Sequence, residues 1–194
     1  KFGRRDLLIA VGGGVVGDLG GFAAACYMRG IRFVNMPTTS LSQIDSSIGG
    51  KTAINLDGVK NSIGAFYQPE LVVADPDVLS TLPRRHLNNG LVEAVKAGLI
   101  GDAALFSLFE ETDVYSRIDE IIYRSLCVKK RVVEQDEKET GLRKTLNFGH
   151  TIGHGVESVY GLSGLLHGES VAVGMLPMIG NSALRERVRK VFKK

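Results

Sequence analysis

Three of the chain's four histidines, His150, His154 and His167, lie in the stretches Asn147-Phe148-Gly149-His150-Thr151-Ile152-Gly153-His154 and His167-Gly168-Glu169. Imidazole offers a neutral nitrogen to a metal or carries a proton near neutral pH, so this concentration points to a metal site or to proton transfer. His150 and His154 are spaced i, i+4 and would project from one face of a helix. Zinc held on helices is one reading of the pair, and capping or packing of a helix is the other. Glu93 is the next candidate, an acid among apolar neighbours in Gly90-Leu91-Val92-Glu93-Ala94-Val95-Lys96. A buried carboxylate needs a cation or a hydrogen-bond partner. A metal shared by Glu93 and two imidazoles meets that need and leaves a coordination position for substrate oxygens. The alternative is an exposed Glu93 paired with Lys96 at i+3, since position i+4 is Ala97. Periodicity does not choose between them.

Gly12-Gly13-Gly14-Val15-Val16-Gly17 satisfies G-x-G-x-x-G between a predicted strand and a predicted helix, where backbone N–H groups and the helix N-terminus can hold a pyrophosphate. The usual dinucleotide site also has an acid about twenty residues on. Here the next acid after Asp18 is Asp45, so a variant phosphate or nucleotide site is expected. A turn needed only for helix–sheet packing remains the alternative. Ser46-Ser47-Ile48-Gly49-Gly50-Lys51-Thr52 lacks the first glycine of a triphosphate loop. Asp45, Lys51, Lys60 and Asn61 fall on segments read as flexible and polar, where a small anion could reach both ammonium groups. Each singly is equally at home on a surface.

These groups need a frame. Leu7 to Val11 reads as a buried parallel strand, Val15 to Met28 as a helix whose small residues approach a sheet, and Ile31 to Met36 as the returning strand. Pro37 to Asp57 reads as a working loop with one helical turn, and Leu71 to Ala74 as another buried strand. After Leu82-Pro83 helices are predicted at His86 to Ile100, Ala103 to Glu111, Ile118 to Glu134, Thr145 to Tyr160, Gly168 to Ile179 and Ser182 to Phe192, with Gly101-Asp102, Gly141 and Gly161 as punctuation. The expected fold is an α/β, Rossmann-like portion over residues 1–80 followed by an all-α domain over residues 81–194, with ligands in the cleft between them.

Composition narrows the class. The 194 residues are 44% hydrophobic and 23% charged, with a net charge of +3. No apolar run of membrane-spanning length and no signal peptide is read, so the cytoplasm is the default compartment. The basic residues from Arg185 to Lys194 alternate with Val188, Val191 and Phe192, as on a solvated helix face rather than a nucleic-acid patch. Cys26 and Cys127 lack nearby partners and are expected to be buried and reduced. Both chain ends read as abrupt, which suggests a fragment.

Taken in order, Gly12-Gly13-Gly14 with Asp18, Met28-Arg29-Gly30, Pro37-Thr38-Thr39, Asp45 through Lys51, Gly58-Val59-Lys60-Asn61, Glu93 with Lys96, Gly141-Leu142-Arg143, Asn147 to His150 with His154, and His167-Gly168-Glu169 resemble the 3-dehydroquinate synthase family of the shikimate pathway. The resemblance covers nearly the whole chain and implies further strands before Lys1 and further helices after Lys194. It implies a seven-carbon keto-sugar acid phosphate as substrate, catalytic NAD and a divalent metal, zinc or else cobalt. NAD would oxidise a ring carbinol and so acidify the adjacent hydrogen for phosphate loss, before the hydride is returned and the ring opens and closes as a carbocycle. Residue by residue, it implies Glu93, His150 and His167 as metal ligands, with His154 a pocket residue. Lys51, Lys129, Arg143, Asn147 and His154 would surround the substrate, and Lys60 and Asn61 would lie near both substrate and nicotinamide. Arg29 would reach the phosphate of a neighbouring subunit, which implies a homodimer. Gly13, Gly14, Asp18, Thr38, Thr39, Asp45 and Thr81 would hold the cofactor, together with Lys51 and Lys60. Other sugar-phosphate cyclases, metal-dependent alcohol or glycerol dehydrogenases, and a non-catalytic binding fragment are the rival readings.

Overall fold

A computed structural model describes residues 2–111, 113–160 and 164–194. The predicted turn at Gly161 lies outside the described residues. The chain begins as a strand–helix–strand unit: β1 (Leu7–Gly12), α1 (Gly14–Cys26) and β2 (Arg32–Pro37). β1 and β2 pair in parallel from Leu7↔Arg32 to Gly12↔Pro37. The short β5 (Leu71–Val72) joins the free edge of β2, also in parallel, giving the order β1-β2-β5. Ala10, Ala24, Ile31 and Phe33 form the core between this sheet and α1.

The two strands expected to be buried are half exposed. Helix α1 covers one face of the sheet, so the alternate residues Leu7, Ile9 and Val11 of β1 point the other way and are exposed, as is Leu71 of β5. Their apolar run tells of a strand without telling which face is covered. The segment read as a loop from Pro37 to Asp57 holds more structure than expected. After a single wide helical turn at Ser42–Ser46, β3 (Lys51–Leu56) and β4 (Val59–Phe66) form an antiparallel hairpin. Its two-residue turn is Asp57-Gly58, both with positive φ (50° and 79°), as the favoured tight hairpin turn requires. Lys51, Lys60 and Asn61 therefore stand on paired strands rather than on flexible segments.

The remainder is helical: α2 (Arg84–Gly101), α3 (Ala103–Glu111), α4 (Ile118–Gln135), α5 (His150–Tyr160), α6 (His167–Met178) and α7 (Ser182–Val191). The predicted helix from Thr145 is shorter than expected. A tight helical turn at Leu142–Asn147 precedes α5, and Gly149, at φ 83°, separates the two. Leu91, Val95, Leu105, Phe106, Phe109, Ile121, Ile122 and Val128 build the helical core, to which Ile44 and Leu79 also belong. On α4 the buried stripe runs through Ile121, Ile122, Ser125, Val128, Lys129, Val132 and Val133. Cys127 falls outside that stripe and Cys26 ends α1 on its outer side, so both cysteines are exposed rather than buried. Among the described residues no helix is long and apolar enough to cross a membrane.

Candidate metal and active site

Three side chains on α2 reach the first turn of α6 at four-residue intervals, the spacing that keeps them on one helix face. Arg85 grips the Glu169 carboxylate with Nε at 2.7 Å and Nη2 at 2.8 Å. Asn89, buried, accepts the Gly168 N–H at 2.6 Å and so satisfies one of the free donors at the helix start. Glu93, with its side chain 1% exposed, faces His167, Oε1 to Nε2 at 3.4 Å. Helix α5 is pressed against the other side of α6. A Cβ on Gly174 would run into the Gly149 carbonyl, so only glycine allows this approach. The approach brings His150 Nε2 to 3.7 Å from the same Glu93 oxygen.

One ligand atom each from Glu93, His150 and His167 thus fall within 4.8 Å of one another. Two donors bonded to one zinc at tetrahedral angles stand roughly 3.4 Å apart, close to the spacing here. Both Glu93 oxygens are buried, and Oε1 has no donor in hydrogen-bond geometry. The Lys96 ammonium forms an ion pair with Oε2, its side chain 3% exposed, which leaves Oε1 to the two imidazoles. A buried carboxylate oxygen facing two imidazole nitrogens suits a borderline cation such as zinc or cobalt. Burial, then the Lys96 charge, lowers the His150 pKa, and burial, then His167, lowers that of His154. For His167 burial acts in the same sense but is outweighed by Glu93 and then Glu157, and its pKa is raised. His150 Nδ1 lies 3.4 Å from the Phe148 carbonyl, which leaves Nε2 as the free lone pair.

The residue pattern offers Lys96 as an exposed partner of Glu93. The pair does form, but inside the protein, where the apolar run Ala94-Val95 and Ala97-Gly98 buries it. That surrounding run is the signal by which Lys96 could have been recognised as part of the site. Burial opposes the charge on both groups, yet each holds the other ionised: the Glu93 pKa is lowered and that of Lys96 raised.

Further cations line the approach. Lys129 of α4 is buried and pairs with Asp45 Oδ1 at 2.8 Å, so Asp45 is engaged by a lysine of the helical half. Burial opposes ionisation of Asp45, but Lys129 and then Lys96 hold its carboxyl far below the usual range. Lys51 pairs with Glu139, which also accepts from Asn147 Nδ2 at 2.6 Å. Lys60 pairs with Glu157 of α5 at 2.7 Å. Asn61, exposed with φ 51°, donates its backbone N–H to Asn55 at 2.9 Å. Arg143 is 2% exposed and donates to the Glu137 carbonyl. Its guanidinium fills the space where a Cβ on Gly49 would stand, and Gly49 has φ 108°. The incomplete phosphate loop around Gly49 is thus a place where the hairpin side meets Arg143.

At the end of β1 the glycine turn meets the segment after β2. Gly13 caps α1 and packs under Thr39, Gly14 packs under Ser46, and Thr38 N–H donates to the Gly12 carbonyl at 2.9 Å. Asp18 lies one turn into α1, where burial pushes its pKa up to about 6 against the Lys129 charge. Thr81 is exposed and bonds back to the Val78 carbonyl at 3.4 Å. Arg29 follows the far end of α1, about 20 Å of helix away from the glycine turn, and is not brought to this site within one chain.

Comparison with known proteins identifies the family. The family descriptions "3-dehydroquinate synthase N-terminal" and "3-dehydroquinate synthase C-terminal" match residues 1–89 and 90–191. The 3-dehydroquinate synthase of Clostridium perfringens (strain 13 / Type A) is 50% identical over 179 residues, 90% of this chain and 51% of the relative. A 2-deoxy-scyllo-inosose synthase solved with carbaglucose-6-phosphate, NAD+ and Co2+ superposes with a TM-score of 0.89 at 31% identity, over 100% of this chain and 57% of that one. The 2-epi-5-epi-valiolone synthase of Streptomyces hygroscopicus subsp. jinggangensis 5008, solved with NAD+ and Zn2+, does so with a TM-score of 0.85 at 33% identity, over 95% and 56%. The chain spans about half the length of the curated relatives it matches. Matched along nearly its whole length by the two halves of one description, the chain belongs to the 3-dehydroquinate synthase family.

Proposed function

We propose that this chain is the cofactor-, metal- and substrate-holding part of a cytoplasmic 3-dehydroquinate synthase. The reaction would convert 3-deoxy-D-arabino-heptulosonate 7-phosphate to 3-dehydroquinate and inorganic phosphate, a step of the shikimate pathway to aromatic amino acids. The observation that carries the reading is the convergence of Glu93, His150 and His167 within 4.8 Å, with buried Lys96 paired to Glu93 and buried Lys129 paired to Asp45.

Bound NAD would supply a temporary hydride acceptor, and a divalent zinc or cobalt ion held by Glu93, His150 and His167 a Lewis acid for the reacting oxygen. The chain's own residues do the positioning. Gly13 and Gly14 present backbone N–H groups at the start of α1, where a pyrophosphate is favoured. Thr38, Thr39, Asp18 and Asp45 border that turn, and Thr81 is assigned to the same cofactor by family likeness alone. Arg143 offers a planar fork suited to the substrate carboxylate, and Asn147 a neutral donor beside it. Lys51 and Lys60, now paired with Glu139 and Glu157, can exchange those carboxylates for an anionic substrate. Asn61 stands next to Lys60 on β4. His154, exposed at 5.3 Å between ring centroids from His150, faces the same space without joining the ligand trio. The departing phosphate can itself accept the proton, so orientation and charge neutralisation carry more of the rate than a protein base. Arg29, remote within one chain, would complete a neighbour's phosphate site in a homodimer.

Release of inorganic phosphate from the keto-sugar phosphate, with no net rise in nicotinamide absorbance, tests the reading. Net formation of NADH without phosphate release would instead place the chain with the dehydrogenases.

A further inference from the structure

His150 and His167 are oriented by different outer partners. Each aims Nε2 at Glu93 Oε1, at 3.7 Å and 3.4 Å. On the opposite ring nitrogen His150 meets a backbone carbonyl, that of Phe148, at 3.4 Å. His167 meets a carboxylate, with Nδ1 at 3.8 Å from Glu157 Oε2. The other oxygen of Glu157 accepts from Lys60 Nζ of the hairpin at 2.7 Å. Neutral imidazole carries one N–H and one lone pair, so a metal on Nε2 places the proton on Nδ1, facing Glu157.

We propose that Glu157 is a positioning residue for the metal centre. Its carboxylate accepts the Nδ1 proton of His167, fixes the ring and tautomer that present Nε2, and is shared with Lys60. The inference rests on the reading that Glu93, His150 and His167 hold the metal. A movement of about half an ångström brings the 3.8 Å contact into hydrogen-bond range. Lys60 holds the other oxygen of that carboxylate, so a ligand that draws Lys60 away leaves Glu157 free to turn towards His167. Metal and anionic ligand would then bind with positive coupling, each favouring the other. His154, Glu157 and His167 also bring ligand atoms within 4.8 Å of one another. A cation there would share His167 with the first trio, and one metal per chain is the arrangement that leaves Nδ1 protonated.

Competition between the protein and a chelator for Co(II) tests this without an activity assay. Wild type, Glu157→Ala, Glu157→Gln and Lys60→Met are compared, with metal stoichiometry and far-ultraviolet circular dichroism measured alongside. Glu157→Ala is expected to bind Co(II) about 10- to 100-fold more weakly, the usual effect of losing an outer partner of a metal-bound histidine. Glu157→Gln, which keeps an acceptor oxygen, should fall between Ala and wild type. It carries the test if the Ala variant fails to fold. Lys60→Met should bind at least as tightly as wild type. Equal affinity in wild type and in the folded Glu157 variants overturns the proposal. So does a Lys60→Met loss as large as that of Glu157→Ala, because then the hairpin–helix ion pair, not the contact to His167, is what matters. Two Co(II) per chain also overturns it. Absence of Co(II) binding by wild type would fail the metal reading itself.

Discussion

Lys96 holds its ammonium against the Glu93 carboxylate inside the protein, one helical turn along α2, with 3% and 1% of the two side chains exposed. The pair has a dual consequence. It keeps the carboxylate proposed as a metal ligand ionised, and it occupies only one of the two carboxylate oxygens.

Removing the lysine should therefore hurt the metal-free protein most. Lys96→Met leaves an uncompensated buried carboxylate, with an expected cost of about 3–5 kcal/mol in urea unfolding in the presence of a chelator. Added Zn(II) or Co(II) should restore part of the loss, because a cation that binds only the folded state stabilises it. Glu93→Gln is expected to show no such recovery. If the metal-free Lys96→Met protein is as stable as wild type, the buried pair has been misjudged.

The two histidines of α5 should separate cleanly. His150 is largely buried, with Nε2 directed at Glu93 and Nδ1 towards a carbonyl, whereas His154 is exposed and lies outside that trio. His150→Ala is expected to remove bound metal, and His154→Ala to retain it while slowing turnover about 100-fold or more, the low end for losing a positioned acid or base. Metal analysis of both purified variants decides the matter, and equal metal loss would overturn the ligand assignment.

How far the sequence discloses this site follows from the range of the interactions. The i, i+4 spacing of His150 and His154 is local and legible, as is the glycine turn ahead of α1. The meeting of Glu93 with His150 and His167 depends on three helices packing together, and residue pattern alone left it open beside the Lys96 pairing. Family likeness, not periodicity, singled it out. The β3–β4 hairpin is masked in the sequence although Asp57-Gly58 lies between Thr52, Ile54 and Val59, Ile63, because the Thr, Ser and Gly content upstream reads as a loop. Asn89 and Glu157 are polar residues on helices and look like surface positions. Their importance comes from partners 79 and 10 positions away, Gly168 and His167. The cysteines illustrate the reverse error, since a residue type that is often buried here sits off the packed stripe of its helix.

Asn89 links the first turn of α6 to α2, and so fixes the distance from Glu93 to His167. Its side-chain oxygen accepts the Gly168 N–H at 2.6 Å in a buried setting. Asn89→Ala strips that donor of its partner and is expected to cost about 1–3 kcal/mol. It should also weaken metal binding, because His167 adjoins the released end. Asn89→Asp keeps an acceptor and should be milder in stability. Urea unfolding and chelator competition read the two effects separately, and a destabilised Asn89→Ala that binds metal as tightly as wild type would show that α6 is positioned by other contacts.

Asp136 governs how the loop carrying Arg143 responds to acid. Its carboxylate accepts the backbone N–H groups of Thr140, Gly141 and Arg143 at 2.8, 2.7 and 2.9 Å. The Arg143 N–H bond, outweighing burial, and then those from Gly141 and Thr140 hold the pKa down at about 2 against an ordinary 3.8. Since the folded value lies below the unfolded one, the stabilisation is present above pH 3.8 and is lost as pH falls through about 2. Asp136→Asn lacks the charge and should be less stable than wild type at pH 7, with the difference shrinking as pH falls from about 4 towards 2. Urea midpoints of both proteins across that range provide the measurement. A difference that stays constant down to the acid limit would mean the side chain acts through shape alone. A loop loosened in this way would also release Arg143, so the same variant should raise KM for an anionic substrate more than it lowers kcat.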